Sequence, residues 1–250
     1  MRFAVAFALC TIGLAAQDRH VVAIAHRGEH LHHPENTIPA FEEAIRDGAD
    51  FIEVDVRTSS DGKLVLSHDA TVDRRTNGKG KVSDMTLDQL ELLDAGGGAK
   101  IPAFDQALDL ARGKIGIYVD VKNAMAQDLV HHIDDHGMRD NVVIYCGLAL
   151  AKQIQALDSK LKVMPEASSV EHAKQLVDEL HPVVLAYDAK DFTLEIIAVA
   201  KQAGAKIYVD RLGAADNEAS WLAAIEAGAD GIQTDHPAEL VEFLRKRLYK

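Results

Sequence analysis

Eight short apolar, β-branched runs recur along the chain: Val21–Ala25, Phe51–Val56, Ile115–Val121, Asn141–Cys146, Leu161–Pro165, Val183–Tyr187, Lys206–Val209 and Gly231–Thr234. Amphipathic stretches fill the intervals, at Ile38–Asp47, Phe104–Ala111, Ala126–His136, Ala149–Leu157, Val170–Leu180, Leu194–Ala203, Glu218–Ala227 and Pro237–Leu248. The runs are too continuously apolar for a sheet with one wet face. That predicts parallel strands buried on both sides. Eight strand–helix units in turn predict an α/β fold, a closed (β/α)8 TIM barrel. Gly48, Gly204 and Gly228 each follow a helical stretch and precede a strand, where glycine permits the left-handed helix cap. The echo between Ala44–Val54 and Ala224–Ile232 reads as a recurring helix-to-strand turn rather than a duplicated domain.

One segment breaks the rhythm. Residues 58–103 form a long insertion between the second strand and its helix. Its pattern predicts a hairpin over Lys63–Ser67, and it carries the glycine-rich stretches Asn77-Gly78-Lys79-Gly80 and Gly96-Gly97-Gly98. A long excursion at the C-terminal end of a barrel strand predicts a lid or substrate wall.

Length and composition fit one barrel: 250 residues, 48% of them hydrophobic. The first sixteen residues stand apart. A positive start at Met1-Arg2, an apolar run from Phe3 to Leu14 and the small pair Ala15-Ala16 predict a secretory signal peptide over residues 1–16. The run is too short for a final membrane anchor. The mature barrel then spans 17–250, secreted or periplasmic, with no stable membrane insertion. Cys10 leaves with the leader and Cys146 remains as the one thiol, so no intramolecular disulfide is expected. A net charge of −12 argues against a nucleic-acid partner. An acidic protein that handles a phosphate needs a metal or a focused cluster of cationic side chains.

Candidate chemistry gathers at the predicted strand ends, where barrel enzymes hold their sites. His26-Arg27 closes the first strand. Glu53 and Asp55, two residues apart, share one face of the second; Asp120 and Lys122 do the same on the third. Two acids in a row usually mark a salt-bridged or solvated edge. Here they interrupt the apolar strand Phe51–Val56, where an unpaired charge is expensive. Glu53, Asp55 and Asp120 are therefore read as ligands of one divalent cation, Ca2+ or Mg2+ by their oxygen donors. Arg27 suits an anion and the imidazoles of His26 and His68 suit proton transfer. Lys122 is a phosphate or leaving-oxygen contact, an ion-pair partner of Asp120, or both. His30, His32 and His33 read as loop residues at the rim.

These residues also carry a resemblance. His26-Arg27-Gly28, Pro34-Glu35-Asn36-Thr37 with Ala40-Phe41, Glu53-Val54-Asp55 and His68-Asp69-Ala70-Thr71-Val72-Asp73-Arg74-Arg75-Thr76 resemble the glycerophosphodiester phosphodiesterases. Gly78 to Val82, Thr86-Leu87, Ile101-Pro102 and Thr234-Asp235-His236-Pro237 continue the likeness over essentially the whole mature chain. The resemblance implies metal-dependent hydrolysis of a small glycerophosphodiester to an alcohol and sn-glycerol 3-phosphate. It implies His26 and His68 as the acid/base pair, Arg27 and Lys122 at the phosphate, and Glu53, Asp55 and Asp120 on the metal.

Two positions depart from the family. Asp120 stands where glutamate is usual, one methylene shorter. Tyr208-Val209-Asp210-Arg211 stands where a Trp-Thr-Val-Asn-like strand end is usual, which bears on substrate preference. Glu166, ending the fifth strand, has no assigned role. Rival readings are a lysophospholipase D or sphingomyelinase D-like enzyme, a non-catalytic phosphoester-binding module, and a sugar isomerase-like barrel. The polar, glycine-rich insertion disfavours the first, retention of both histidines the second, and the all-carboxylate ligand set the third. Oligomeric state has no signature in the sequence.

Overall fold

A computed structural model describes residues 19–250. The leader reading falls on residues 1–16 and lies outside the described residues, as does Cys10.

Eight parallel strands form the barrel: β1 (Val22–Ala25), β2 (Phe51–Thr58), β4 (Gly116–Val121), β5 (Val142–Tyr145), β6 (Lys162–Met164), β7 (Val184–Tyr187), β8 (Lys206–Asp210) and β9 (Gly231–Thr234). A short antiparallel strand, β3 (Leu64–Leu66), hangs on β2. The order β6-β5-β4-β2-β1-β9-β8-β7 leaves one seam. There the Ala186 N–H donates to the Pro165 carbonyl and the Ala167 N–H to the Ala186 carbonyl, both at 3.0 Å, so the barrel is nearly closed. Helices α1 (Ile38–Asp47), α3 (Phe104–Ala111), α4 (Ala126–Asp135), α5 (Leu148–Leu157), α6 (Val170–Leu180), α7 (Leu194–Ala203), α8 (Glu218–Ala227) and α9 (Pro237–Lys246) follow the strands in turn.

Strand periodicity sorts the side chains into two layers. Ile24, Tyr118, Val143, Met164, Val184, Ala186 and Tyr208 fill the floor of the lumen. The alternate residues, with Phe41, Phe104, Leu108, Trp221 and Leu244 among their partners, form the larger core between strands and helices. Gly116 and Gly231 leave room for the lumen aromatics: an added Cβ would lie 2.5 Å from Phe51 and 2.6 Å from Tyr208.

The insertion folds on its own small core of Val65, Val72, Val82, Leu90 and Ile101. β2 runs through Thr58, two residues past the apolar pattern, because Arg57 and Thr58 pair with Val65 and Leu64. A helix unmarked in the pattern, α2 (Leu87–Leu92), begins at a capping box in which Thr86 and Gln89 satisfy each other's backbone N–H. Among the described residues, no helix is long and apolar enough to cross a membrane.

Candidate active site at the barrel mouth

The lumen changes character toward the strand C-termini. His26, Tyr145, Glu166, Asp188, Asp210 and Asp235 lie at or just beyond the ends of β1, β5, β6, β7, β8 and β9, and Asp55 and Asp120 sit side by side within β2 and β4. Each is two residues on from an inward position, so apolar floor gives way to a polar ring within one pleat.

The β1–α1 loop is held by backbone that few residues tolerate. Arg27 and Asn36 are both left-handed, at φ 55° and 57°. Gly28 follows at φ 79°, and a Cβ there would lie 2.8 Å from the backbone of Ala40. This turn aims the Arg27 N–H at Glu53 Oε2, 2.8 Å away. The Asn36 N–H donates back to the Arg27 carbonyl at 3.0 Å. The Asn36 amide then clamps Asp55: Nδ2 donates to Oδ2 at 2.6 Å, and the Asp55 N–H donates to Oδ1 at 3.0 Å.

Glu53, Asp55 and Asp120 each offer a carboxylate oxygen within 4.8 Å of the others. Lys122 Nζ donates to Asp55 Oδ1 at 2.9 Å and Asp120 Oδ2 at 2.6 Å. Arg27 Nε is 3.3 Å from Asp55 Oδ2. Two cations thus face three acids, and Glu53 is left with one backbone donor. Burial first, then the charges of Asp55 and Asp120, push the Glu53 carboxyl well above its usual range. Burial also raises Asp120, against the pull of Lys122. An oxygen-only donor set with excess negative charge fits a hard divalent cation.

Both histidines are backed by carboxylates. His26 Nδ1 donates to Asp235 Oδ1 at 2.7 Å, and His68 Nδ1 to Asp69 Oδ1 at 2.8 Å. Asp235 is held below the usual carboxylate range by the His26 contact despite its burial, and Asp69 by Arg74 and then His68, so both act as acceptors. Each Nε2 has no protein hydrogen-bond partner among the described residues. Burial lowers the His26 pKa, and the Asp235 contact only partly offsets this.

The structure therefore joins Arg27, Glu53, Asp55, Asp120 and Lys122 in one contact group, with His26 next along the chain and paired to Asp235. It sets His68 in the insertion, lining a cleft with Glu35, Asn36 and Asp69. Of the rim histidines, His30 joins this group: Nδ1 donates to the His26 carbonyl at 2.7 Å, and Nε2 lies 3.5 Å from Asp235. His32 and His33 pair instead with Glu29 and Glu43 at the periphery. Glu166 accepts from the Tyr145 hydroxyl. Asp210, buried near Glu166, Asp188 and Asp120, is pushed up to about 7.

Sequence reasoning quoted Asp69, Asn36, Glu35 and Asp235 within motifs but gave them no task. For Asp235 the signal was available: it lies two residues past Gln233, on the same face of β9.

Three carboxylates that could hold a metal, two carboxylate-backed imidazoles and a guanidinium stand at the mouth of a TIM barrel, an arrangement that fits a phosphoric diester hydrolase. Residues 26–239 match the glycerophosphoryl diester phosphodiesterase family, and the chain belongs to that family. It is 32% identical to a glycerophosphodiester phosphodiesterase of Caldanaerobacter subterraneus subsp. tengcongensis, over 90% of this chain and 98% of that protein. A glycerophosphodiester phosphodiesterase crystal structure from Agrobacterium tumefaciens superposes with TM-score 0.80 at 28% identity, covering 89% of this chain and 99% of that one. The fold also matches, at TM-score 0.82 and 23% identity over 90% and 96% of the two chains, a phosphodiesterase of Oleispira antarctica in complex with sn-glycerol-3-phosphate.

Proposed function

We propose that this hydrolase cleaves small glycerophosphodiesters to an alcohol and sn-glycerol 3-phosphate, with His26 and His68 as the acid/base pair. The observation that carries the reading is the pair of imidazoles, each anchored through Nδ1 on a carboxylate with Nε2 free of protein partners among the described residues, at the barrel end that also holds the three-carboxylate group. One Nε2 takes the proton of the attacking oxygen as its bond to phosphorus forms. The other gives a proton to the departing alkoxide as its bond to phosphorus breaks. Each transfer is typically worth about 10²- to 10⁴-fold.

Arg27 and Lys122 hold the phosphate. Arg27 is ion-paired with Asp55 and Glu35 at the edge of the three-carboxylate group, and its planar guanidinium suits a phosphoryl oxygen there. Glu53, Asp55 and Asp120 would hold one divalent cation, Ca2+ or Mg2+. Bound there, it supplies Lewis-acid charge against the developing oxyanion. The side chain at 120 is short and already engaged by Lys122, which favours a loosely held ion. With residues 1–16 as a leader, the reaction belongs outside the cytoplasm.

The test is release of sn-glycerol 3-phosphate from glycerophosphocholine, glycerophosphoethanolamine and glycerophosphoglycerol, beside a lysophospholipid, with and without Ca2+ or Mg2+. Turnover of the water-soluble diesters supports the proposal. Turnover of the lysophospholipid alone contradicts it.

A further inference from the structure

We propose that Arg74, in the insertion, is a positioning residue that sets His68 and Arg27 together. The inference rests on the roles proposed for those two residues and adds the group that couples them.

Two acids stand behind the phosphate-side groups. Asp69 orients His68 through Nδ1, and Glu35 holds Arg27 Nη1 at 3.2 Å. Arg74 bridges these two acids. Its Nε lies 2.5 Å from Asp69 Oδ2 and its Nη2 2.9 Å from Asp69 Oδ1, a two-point grip on one carboxylate. The same Nη2 donates to Glu35 Oε1 at 3.0 Å. A continuous chain of charged hydrogen bonds therefore runs from His68 through Asp69, Arg74 and Glu35 to Arg27.

The chemistry at each joint explains why an arginine stands there. The Glu35 side chain is only 4% exposed and faces three guanidiniums, from Arg27, Arg74 and Arg75; their charges hold it below the usual carboxylate range despite its burial. A planar fork can grip Asp69 at two points and still reach Glu35, which an ammonium, as a point charge, cannot do in one geometry. Arg75 is the internal contrast. It touches Glu35 Oε2 at 2.5 Å and leaves Asp69 alone, so it supports the Arg27 arm only.

The bridge crosses from the β1–α1 loop to the insertion. Glu35 lies on the loop that precedes α1, whereas Asp69 and Arg74 lie just past β3. Glu35, Asn36, His68, Asp69 and Arg75 line one cleft between these two segments. Arg74 thereby locks the insertion's placement of His68 to the barrel's placement of Arg27. Loss of such alignment, with every reacting group retained, typically costs about 10²-fold in rate.

The experiment measures kcat and KM on a glycerophosphodiester for wild type, Arg74→Ala, Arg74→Lys and Arg75→Ala, each checked for native thermal unfolding. Arg74→Ala is expected to lose about 10- to 100-fold in kcat, with KM changing less. Arg75→Ala is expected to lose less in kcat than Arg74→Ala. Guanidinium ion at millimolar concentration is expected to restore part of the Arg74→Ala loss and to leave wild type unaffected. Arg74→Lys keeps the charge and still loses about tenfold; it carries the test if Arg74→Ala does not fold.

Folded Arg74 variants with near-wild-type kcat would overturn the inference. So would equal losses in the Arg74 and Arg75 variants, or an Arg74→Ala loss that guanidinium leaves untouched. A wild-type protein inactive on every glycerophosphodiester overturns the proposed function itself, a different result from an active wild type with unaffected variants.

Discussion

The two histidines reach the same mouth by different routes. His26 stands at the end of β1, its side chain 15% exposed, backed by an acid from the neighbouring strand end 209 residues away. Asp235 is fixed in turn through its N–H, which donates to Asp216 Oδ2 at 2.6 Å, and Thr234 donates to the same carboxyl group. His68 stands in the insertion, 36% exposed, backed by the very next residue and by Arg74 five positions beyond that. One imidazole is built by barrel closure, the other by a short local motif resting on a small satellite core. The barrel supplies the more buried group; the insertion supplies the more exposed one, held off the sheet by its own charged contacts.

Removal of either ring tests whether both are needed. His26→Ala and His68→Ala are each expected to lower kcat by about 10²- to 10⁴-fold with native unfolding temperatures. The double variant is expected to lose little more than the worse single one, because the pair acts as a unit. A single variant with wild-type turnover would break the comparison outright.

Cation removal should strike the barrel side. Rigorous chelation is expected to stop turnover, and Ca2+ or Mg2+ to restore it. The added ion should also raise the unfolding temperature of the wild type, by the equivalent of about 2.7 kcal/mol at 100 times Kd. Asp55→Asn should lose most of that gain. The same rise in wild type and variant would place the ion elsewhere.

Asp235→Asn sharpens the contrast through pH. Burial already lowers the His26 pKa, and the Asp235 contact opposes that fall. Removing the charge leaves burial unopposed, so the His26 pKa drops further. The limb of the pH–rate profile that His26 sets should therefore move to lower pH, with kcat reduced about tenfold or more. An unmoved or alkaline-shifted profile contradicts the assigned contact.

The smallest effects on activity should come from the cores. Phe41→Ala, on α1 where it packs against the barrel strands, is expected to cost about 3–5 kcal/mol of stability while the folded enzyme keeps its kcat. Leu90→Ala, in the satellite core, should loosen the insertion and lower kcat at a modest cost in unfolding temperature. Denaturant titration beside steady-state kinetics separates the two patterns.

The same division explains what the sequence disclosed. Continuous apolar strands and glycine-capped helices announced the barrel, because parallel burial and helix capping are local demands on residue type. Glu53, Asp55 and Asp120 were legible as acids breaking apolar strands on one face. His68-Asp69 and Arg74 lay within seven contiguous residues. The pairing of His26 with Asp235 follows once the barrel closes β1 against β9, but it depends on side-chain geometry just past both strand ends, which the strand pattern does not specify. The clamp of Asn36 on Asp55 depends on left-handed backbone at both Arg27 and Asn36; asparagine favours that region, but arginine gives no sign of it. Helix α2 escaped because it spans only Leu87–Leu92, too short for a helical period to show, although Leu90 packs in the satellite core.

The most direct test is a crystal structure of the protein soaked with Ca2+ and sn-glycerol 3-phosphate. The account predicts one cation on Glu53, Asp55 and Asp120, with the phosphate against Arg27 and Lys122 and within hydrogen-bond reach of both His26 Nε2 and His68 Nε2. A cation bound away from those carboxylates, or a phosphate that only one of the two rings can reach, would contradict it.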